Sequence, residues 1–296
     1  MKYVIGIDSG ATSSEVLIYP LGKGRAILRK YHPVNLNVLG FKESAKRLIY
    51  IIKDISKKTG LKNIISVTAG VSGARYVKDR NRLAAEVKKA TGLKNIKILT
   101  DTEIAFASAF DTNDRNCGIL IAGTGSILYY RNSNGKINRI GGWGRHIGDE
   151  GSGYWIAKEA IGRITNYYDG IGKQTKLANI LKKEFGIDSE NIINEIYHKG
   201  FEISKLTRFV FDCAEEGDRV SLEIIKKAAE KLLLHFDSLK NRKYNIALTG
   251  SLFTEETLLE RHLKKLVKEK YNKIKLIKSE FKSAYGAIKI ALNELR

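Results

Sequence analysis

Cysteine is scarce in this sequence, which has only Cys117 and Cys213 among its 296 residues. The two lie far apart, and neither belongs to a CxxC pair. A disulfide framework and a structural zinc site are therefore both disfavoured, since each needs several suitably spaced thiols. Two interpretations stay open, and we favour the first: a pair of buried, inert thiols, or ligands of an iron–sulfur cluster shared across a dimer.

Long apolar runs are also missing. No stretch reaches the roughly 20 residues that a membrane-spanning helix needs. The amino terminus enters directly into a strand-like segment, MKYVIGID, without the pattern of a signal peptide. We therefore predict a cytoplasmic protein with no membrane partner.

The two best-known sequence signatures of nucleotide binding are absent. The chain contains no GxxxxGK[ST] loop. It also lacks GxGxxG between a strand and a helix, because Gly123-x-Gly125 leads into another predicted strand. These absences argue against P-loop and Rossmann chemistry.

Acidic residues are few relative to basic ones, 32 against 52, which gives a formal net charge of +20. Nucleic-acid binding is one interpretation of such a charge. The lysines, however, are spread along helical stretches, as at Lys264, Lys265, Lys268 and Lys270, and form no compact basic block with interleaved aromatics. A solvated lysine-rich surface is the better interpretation, so we predict no nucleic-acid partner.

The sequence does contain one pattern of strands and helices that occurs twice. Apolar runs and alternation predict strands, whereas a 3.6-residue period predicts helices. In the first half these are strands 2–8, 15–19, 25–31, 64–69 and 96–100 and helices 41–58, 79–90 and 102–110. In the second half they are strands 117–122, 127–131, 136–140, 244–249 and 273–277, a mostly helical stretch 149–240, and helices 254–268 and 282–293. Both halves read β-β-β-α-β-α-β-α, an α/β fold with extra helices in the second.

Each half begins with a strand, a turn of small residues and another strand. The first turn is Asp8-Ser9-Gly10-Ala11-Thr12. Small residues let backbone N–H groups approach an anion, Thr12 can donate to a phosphate oxygen, and Asp8 can hold Mg²⁺ directly or through water. The alternative is an ordinary hairpin with Asp8 in an Asx-turn.

The matching turn of the second half is Gly123-Thr124-Gly125-Ser126. A GTGS turn alone is a weak signal, but its occurrence at the same point of the repeat strengthens a phosphate-binding interpretation. A third junction, Gly250-Ser251, follows a late strand and would let an adenosine approach the backbone. A simple helix-entry turn explains that junction equally well.

Asp101 follows the predicted strand 96–100 directly. Reactive groups of open α/β sheets gather at the carboxyl ends of strands. Phosphoryl transfer to an alcohol needs alignment, charge neutralisation and a base for the hydroxyl proton, which Asp101 can supply. The alternative, a cap for the helix beginning at Thr102, is compatible with that role.

The stretch 141–155, GGWGRHIGDEGSGYW, has six glycines, an acid pair and both tryptophans. Glycines permit close approach of a ligand, carboxylates accept hydrogen bonds from sugar hydroxyls, and aromatic rings stack on sugar faces. A core-packing segment would not need so many glycines. We therefore favour a ligand-binding loop over a plain connection.

At these residues the sequence resembles the N-acetylglucosamine kinase branch of the BadF-type ATPases, within the superfamily of sugar kinases, actin and heat-shock ATPases. The most specific match is GGWGRHIGDEGSGYWIA at 141–157. Further matches, in order along nearly the whole chain, are IDSGATSSEVLIY at 7–19, the segment 35–40, VSG at 71–73, TD at 100–101, IAGTGS at 121–126 and LTGSLF at 248–253.

The resemblance implies a role for each matched position. It makes Asp101 the catalytic base for the sugar 6-hydroxyl and implies ATP and Mg²⁺ as cofactors, with Asp8 at the metal. The implied ATP and phosphate contacts are Ser9, Gly10, Ala11, Thr12, Gly123, Thr124, Gly125, Ser126, Gly250 and Ser251. The implied sugar contacts are Asn35, Ser72, Gly73, Asp101, Gly144, Asp149 and Glu150.

The implied architecture is two ribonuclease-H-like lobes of the actin-like ATPase kind, in a homodimer. We expect a first lobe at 1–111, with a carboxyl-terminal helix at about 284–296 packed on it. The second lobe is expected at 112–283, with a helical insertion at about 149–240. The chain departs from the family at its first turn, where SGAT replaces the usual GGT. Arg145 and His146 stand at positions that vary within the family. Each is either a surface residue or a contact to sugar or phosphate.

The expected activity is phosphorylation of the 6-hydroxyl of N-acetylglucosamine or a related amino sugar or hexose. The closest alternatives are a glucosamine or glucose kinase with the same mechanism. A different class is the BadF-type ATPase that activates an acyl-CoA dehydratase or reductase, which needs cysteines for a bridging cluster. A non-catalytic sugar sensor is disfavoured, because both phosphate turns and Asp101 are intact.

Overall fold

The computed structural model describes residues 1–10, 13–254, 256–278 and 282–295. The chain divides into two compact units, Met1–Asp114 with Ser279–Arg296, and Arg115–Lys278. Each unit is built around one mixed five-stranded sheet. The strand order is β3-β2-β1-β4-β5 in the first sheet and β10-β9-β6-β7-β8 in the second. The two orders are the same when each unit's strands are numbered from its own start, so the predicted repeat is confirmed.

The first unit contains five strands, four α-helices and one 3₁₀ turn (Leu61–Asn63) among its described residues. The strands are β1 (Lys2–Ser9), β2 (Ser14–Leu21), β3 (Ile27–Tyr31), β4 (Ile64–Val71) and β5 (Ile96–Leu99). The helices are α1 (Leu36–Thr59), α2 (Val77–Thr91), α3 (Asp101–Ala109) and, from the end of the chain, α9 (Ser283–Glu294). β1 pairs antiparallel with β2 and parallel with β4, which places the carboxyl ends of β1, β4 and β5 at one edge.

Alternation along β1 assigns its side chains to two faces, as the period of two in a strand requires. Ile5 and Ile7 belong to a buried cluster with the apolar face of α1. Val4 lies on the other face, in a cluster with Ile288 of α9. Asp8, two residues beyond Gly6 on that face, is thereby directed toward the start of α9.

Two glycines allow α9 to pack closely on its neighbours. A Cβ at Gly286 would overlap the carbonyl oxygen of Ile104 in α3, and a Cβ at Gly6 would overlap that of Ala284. Backbone contact of this kind leaves no room for any side chain. The start of α9 is therefore held at a fixed position beside β1.

The second unit repeats this plan and adds helices. Its strands are β6 (Cys117–Ala122), β7 (Ser126–Arg131), β8 (Ile137–Gly141), β9 (Tyr244–Thr249) and β10 (Ile274–Lys278). Its α-helices are α4 (Gly153–Tyr168), α5 (Lys176–Phe185), α6 (Leu206–Glu215), α7 (Arg219–Leu233) and α8 (Leu258–Lys270). Short turns of 3₁₀ or π helix occupy Asn194–His198, Ile203–Lys205, Leu234–Leu239 and Ser251–Phe253.

One large apolar core joins the inserted helices to the second sheet. It includes Leu120 and Leu128 of the sheet together with Ile156, Leu181 and Ile225 of the helices, all fully buried. Within the described residues, no helix has both the length and the apolar character needed to cross a membrane.

The structure corrects two predicted helix boundaries. The helix expected at 41–58 begins at Leu36, because the Asn35 side chain caps it by accepting from the N–H groups of Asn37 and Val38. Gly40, with φ of 69°, interrupts the regular helix, and the apolar periodicity is detectable only after it. The helix expected at 254–268 begins at Leu258, where the Thr257 hydroxyl accepts from the N–H of Glu260.

Candidate active site

The carboxyl end of β1 presents Asp8 at the start of α9. The Ser283 hydroxyl donates to the Asp8 carboxylate, and the Lys282 ammonium lies near enough to favour its charge. Lys282 itself pairs with Glu15 of β2 at 2.8 Å. Ala11 and Thr12, predicted to contact phosphate, lie outside the described residues. The Gly10 N–H donates to the Ser13 carbonyl at 3.1 Å, so the turn closes tightly.

Ser9, predicted as a phosphate contact, is fully buried and organises the surrounding chain. Its hydroxyl accepts from the Val34 N–H at 2.6 Å and lies 2.6 Å from the Ser14 hydroxyl. Its carbonyl accepts from the Ser72 N–H at 3.0 Å. The Ser9 side chain is thus satisfied within the protein, and its role is to hold the segment around Val34 against β1.

Asn35, Ser72 and Gly73, three predicted sugar contacts, come together in the first unit. Asn35 and Ser72 form a parallel β-bridge, and the Leu36 N–H donates to the Ser72 carbonyl at 3.0 Å. Gly73 has φ of 80°, and a Cβ there would lie 2.8 Å from the Asn37 nitrogen. Asn35 is 7% exposed and spends its side-chain oxygen on capping α1. Its amide nitrogen is the part of the side chain left for a ligand.

Asp101 lies at the carboxyl end of β5, as the first residue of α3 rather than its cap. Thr100 is the N-cap, in a capping box with Glu103 whose two hydrogen bonds are both present. The Asp101 carboxylate accepts from the Thr102 N–H at 2.9 Å and from the Ser72 hydroxyl. The predicted capping role of Asp101 is therefore wrong, and its carboxylate is directed to Ser72, beside the predicted sugar contacts.

Two acids of this unit have raised pKa values. Burial raises the pKa of Asp8 to about 7, helped by the negative charges of Asp101 and Glu15. Burial also raises the pKa of Asp101, partly offset by its hydrogen bonds from Thr102 and Ser72. Paired carboxylates whose surroundings disfavour two negative charges are typical of proton-transfer and cation sites.

In the second unit, the GTGS turn between β6 and β7 supports the start of α4. The Gly123 carbonyl accepts from the Gly153 N–H at 2.7 Å, and the Thr124 carbonyl accepts from the Tyr154 N–H at 3.3 Å. The Gly123 N–H is used within the turn, where it donates to the Gly125 carbonyl at 2.9 Å. The turn and the first residues of α4 therefore form one backbone-bonded unit.

Asp149 lies directly on that turn. Its Oδ1 accepts from the Gly144 N–H at 3.2 Å, its carboxylate accepts from the Ser126 N–H, and its Oδ2 lies 2.6 Å from where a Gly125 Cβ would be. Its φ is 57°, a left-handed conformation uncommon outside glycine and seen often at functional sites. Burial raises the pKa of Asp149, opposed by the two N–H donors.

The remaining predicted contacts of the second unit have distinct surroundings. Gly250, with φ of 103°, packs so closely on Ala122 that a Cβ would overlap its carbonyl, and the Ser251 hydroxyl lies 3.2 Å from a Cβ position on Gly123. These two residues therefore lie against the GTGS turn. The Glu150 carboxylate is instead directed to Lys231, 3.5 Å away.

Sequence reasoning missed several residues that complete these arrangements. Ser283 and Lys282 influence Asp8 from the far end of the chain, and Lys231 pairs with Glu150 from α7. His235, fully enclosed, packs its ring against Gly141 at the entry to the glycine-rich loop. No local pattern marks these residues, because each contact joins segments that are distant in sequence.

The contact between Asp149 and Gly125 leads to a testable expectation. Gly125→Ala would displace the Asp149 carboxylate and break a charge-assisted hydrogen bond of about 1.5–3 kcal/mol, so we expect KM for the predicted sugar substrate to rise about tenfold or more. Gly162→Ala is the matched control, because no atom lies within 4 Å of a Cβ at that helical position. Steady-state kinetics with thermal melting of both variants checks this. An unchanged KM in folded Gly125→Ala would contradict it.

Known proteins resemble this chain in sequence and in fold. The model of the BadF/BadG/BcrA/BcrD ATPase family matches residues 5–291. The chain is 34% identical to the N-acetylmuramic acid/N-acetylglucosamine kinase of Clostridium acetobutylicum over 308 residues, covering 99% of each. It is 27% identical to the N-acetyl-D-glucosamine kinase of Dictyostelium discoideum, covering 98% of this chain and 97% of the other. A ROK family glucokinase from Streptomyces griseus, solved with glucose and AMPPNP, shares the fold with a TM-score of 0.65 at 15% identity, covering 98% of this chain and 99% of that one.

Proposed function

The chain belongs to the BadF/BadG/BcrA/BcrD ATPase family, and on that premise we propose that it is an ATP-dependent sugar kinase. The reaction is transfer of the γ-phosphoryl group of ATP to the 6-hydroxyl of N-acetylglucosamine or a related amino sugar. The substrates named for the Clostridium and Dictyostelium kinases support this substrate class. Action in the cytoplasm, as a homodimer and with Mg²⁺, is part of the same proposal.

The observation that carries the proposal is the position of Asp101. Its carboxylate is part-buried and has a raised pKa. It accepts a hydrogen bond from the hydroxyl of Ser72, the residue that forms a β-bridge with Asn35. A base for an alcohol must be within hydrogen-bond reach of the hydroxyl and must not bind its proton too weakly. Its place beside Ser72 and its raised pKa support Asp101 in this role. We therefore assign Asp101 as the base that accepts the proton of the 6-hydroxyl.

Phosphate binding is assigned to the backbone of the two turns and to the groups around them. In the second unit, Thr124 and Gly125 form the turn between β6 and β7 and Ser126 begins β7, with Gly250 and Ser251 beside the same turn. Phosphoryl transfer is catalysed mainly by positioning and charge stabilisation, which rigid backbone N–H groups provide. We assign the Asp149 carboxylate, which lies on this turn, as an acceptor for a sugar hydroxyl. The Gly144 N–H positions that carboxylate by donating to it.

Mg²⁺ fits the acids of the first unit. Mg²⁺ keeps several waters and is held in kinases by one or two carboxylates together with substrate phosphates. Asp8 and Asp101 supply two carboxylates with mutual electrostatic influence, and within the described residues no cluster of three or more metal-ligating side chains is present. A cation shared with ATP therefore suits this donor set, with Asp8 as the protein ligand. Bound there, Mg²⁺ would neutralise charge on the β- and γ-phosphates.

The acyl-CoA-activating ATPase is not favoured. Its bridging cluster requires cysteine thiols that a partner subunit can reach. Cys117 and Cys213 are each 1% exposed, and burial raises the pKa of the Cys213 thiol to about 11, away from a metal-binding thiolate. Buried, inert thiols, the first of our two interpretations, agree with this environment.

A substrate panel tests the proposal. With ATP and Mg²⁺, we expect ADP release to depend on N-acetylglucosamine and the product to carry one phosphate at the 6-position, measured by coupled assay and by NMR. Glucosamine and glucose in the same panel decide between the amino-sugar kinase and its closest alternatives. No stimulation of ADP release by any of the sugars would refute kinase activity and leave a sugar sensor as the better explanation.

A further inference from the structure

Two arginines lie at the glycine-rich loop of the second unit, the stretch 141–155: Arg139 just before it and Arg145 inside it. Their surroundings differ. Arg139 of β8 donates to the carbonyls of Gly141 and Gly142, at 3.0 and 3.1 Å, and its guanidinium lies 4.3 Å from the ring centre of Trp143. One terminal nitrogen and the flat face of this guanidinium are therefore engaged in holding the loop. Arg139 thus has a structural role in the loop itself.

Arg145, inside the loop, is engaged much less. Its Nη1 lies 3.3 Å from the Glu202 carboxylate, and its guanidinium lies 5.1 Å from the ring centre of Tyr154. The side chains of Arg145 and Glu202 are 45% and 47% exposed. An exposed pair of this kind contributes only about 0–1 kcal/mol. Another carboxylate can therefore take the place of Glu202 at small cost.

The backbone puts Arg145 next to the group that we assign to the sugar. The Gly144 N–H donates to Asp149 Oδ1 at 3.2 Å, and the Gly144 carbonyl accepts from the N–H groups of Ile147 and Gly148. Residues 144–148 are thereby closed into a tight turn. Arg145 follows immediately after the amide that holds Asp149, and its guanidinium lies beside the ring of Tyr154, in the first turn of α4.

We propose that Arg145 determines specificity for amino sugars that bear a carboxylate substituent. This rests on the proposed function, because Asp149 must contact the sugar. A guanidinium matches a carboxylate with two parallel N–H donors, which a surface ammonium cannot do. Glu202 pairs with the Arg145 guanidinium, and the carboxylate of the substrate replaces Glu202 when it binds. The Clostridium relative is named for N-acetylmuramic acid, whose lactyl ether carries such a carboxylate.

The experiment compares two sugars of equal bulk and different charge: N-acetylmuramic acid and its neutral lactyl carboxamide. In the wild-type protein we expect kcat/KM to be higher for the acid. Arg145→Met should lower the acid-to-amide ratio about tenfold or more, mainly through KM, because a hydrogen-bonded charge partner is lost. Glu202→Gln should raise the ratio, since it removes the competing charge and keeps an oxygen that can accept from the Ser204 N–H.

Opposite shifts in two single variants separate recognition of charge from general damage to the loop. Arg139→Met is the matched control, expected to lower kcat/KM for both sugars and to leave their ratio unchanged. Any of three results would overturn the inference. They are lower kcat/KM for the acid than for the amide in the wild-type protein, an acid-to-amide ratio that is unchanged in Arg145→Met, and a lower ratio in Glu202→Gln. ADP release with N-acetylglucosamine in the same assay keeps these outcomes distinct, because the absence of turnover with all three sugars would instead refute the proposed function.

Discussion

Asp101→Asn is expected to lower kcat by a factor of about 10² to 10⁴, the usual contribution of a positioned general base. The change keeps the size of the side chain and an oxygen that can accept from the Thr102 N–H and from the hydroxyls of Thr102 and Ser72. It removes the negative charge and, with it, the ability to accept the proton of the sugar hydroxyl. Binding of sugar and of ATP should therefore persist, and calorimetry beside the coupled ADP assay measures both.

Glu103→Gln is the matched control for Asp101→Asn. Glu103 lies in the same first turn of α3, where its carboxylate completes the capping box with Thr100 and pairs with Arg80. Loss of this charge should reduce stability by about 0–1 kcal/mol, because an exposed ion pair contributes little and glutamine can still complete the capping box. It should leave kcat within a few-fold of wild type. If Asp101→Asn keeps near-normal turnover, or if Glu103→Gln loses as much as Asp101→Asn, Asp101 is not the base.

The acid limb of the wild-type pH profile provides an independent check on Asp101. Burial raises the pKa of Asp101 above the ordinary 3.8 of an aspartate. The carboxylate must be ionised to accept a proton, so activity should fall as pH drops through that raised pKa. Because Asp8 interacts with Asp101, the observed value belongs to the pair of acids rather than to one residue.

The sequence predicts the fold well because the two halves follow the same local rules. The buried strands β1 and β6 are nearly continuous apolar runs, and each is followed by small, glycine-containing residues that favour a turn. The errors occur where one side chain overrides periodicity. Asn35 starts α1 before the apolar stripe begins, and Gly40 then interrupts it, so the pattern alone places the helix too late.

The candidate site is less predictable, because its groups meet through tertiary contacts. Asp101 and the GTGS turn are detectable from strand ends, where open sheets collect their reactive groups. That Asp149 rests on Gly125 depends on a positive φ at an aspartate and on an N–H from Gly144, neither of which has a sequence signal. The Ser283 hydroxyl on Asp8 joins the two ends of the chain. Its position follows from close packing at Gly6 and Gly286, which is known only once the helix is placed.

Asp8→Asn is expected to change activity and stability in opposite directions. Loss of the carboxylate should lower kcat/KM about a hundredfold or more at every Mg²⁺ concentration, since several kcal/mol of charge stabilisation depend on a cation at the phosphates. In metal-free protein the same carboxylate is unfavourable when ionised. Burial, Asp101 and Glu15 raise its pKa from 3.8 to about 7 in the folded state. The variant should therefore be more stable than wild type at neutral pH.

The sign of that stability difference follows from proton binding. Between about pH 4 and pH 7 the folded wild type holds a proton on Asp8 that the unfolded chain releases, so its free energy of unfolding falls as pH rises through this window, by at most about 4 kcal/mol. The variant lacks this titration, and its advantage should grow up to pH 7 and then stay constant. Urea unfolding in EDTA at a series of pH values measures this stability difference.

Asp111→Asn is the control for Asp8→Asn. Asp111 is an exposed acid whose pKa is lowered by Lys289, so its pH slope should be opposite and smaller. An Asp8→Asn variant that is less stable than wild type above pH 7, or whose stability difference does not change with pH, would contradict this expectation. Either result would show that the folded protein does not disfavour ionisation of Asp8, which would remove the electrostatic reason for placing a cation beside it.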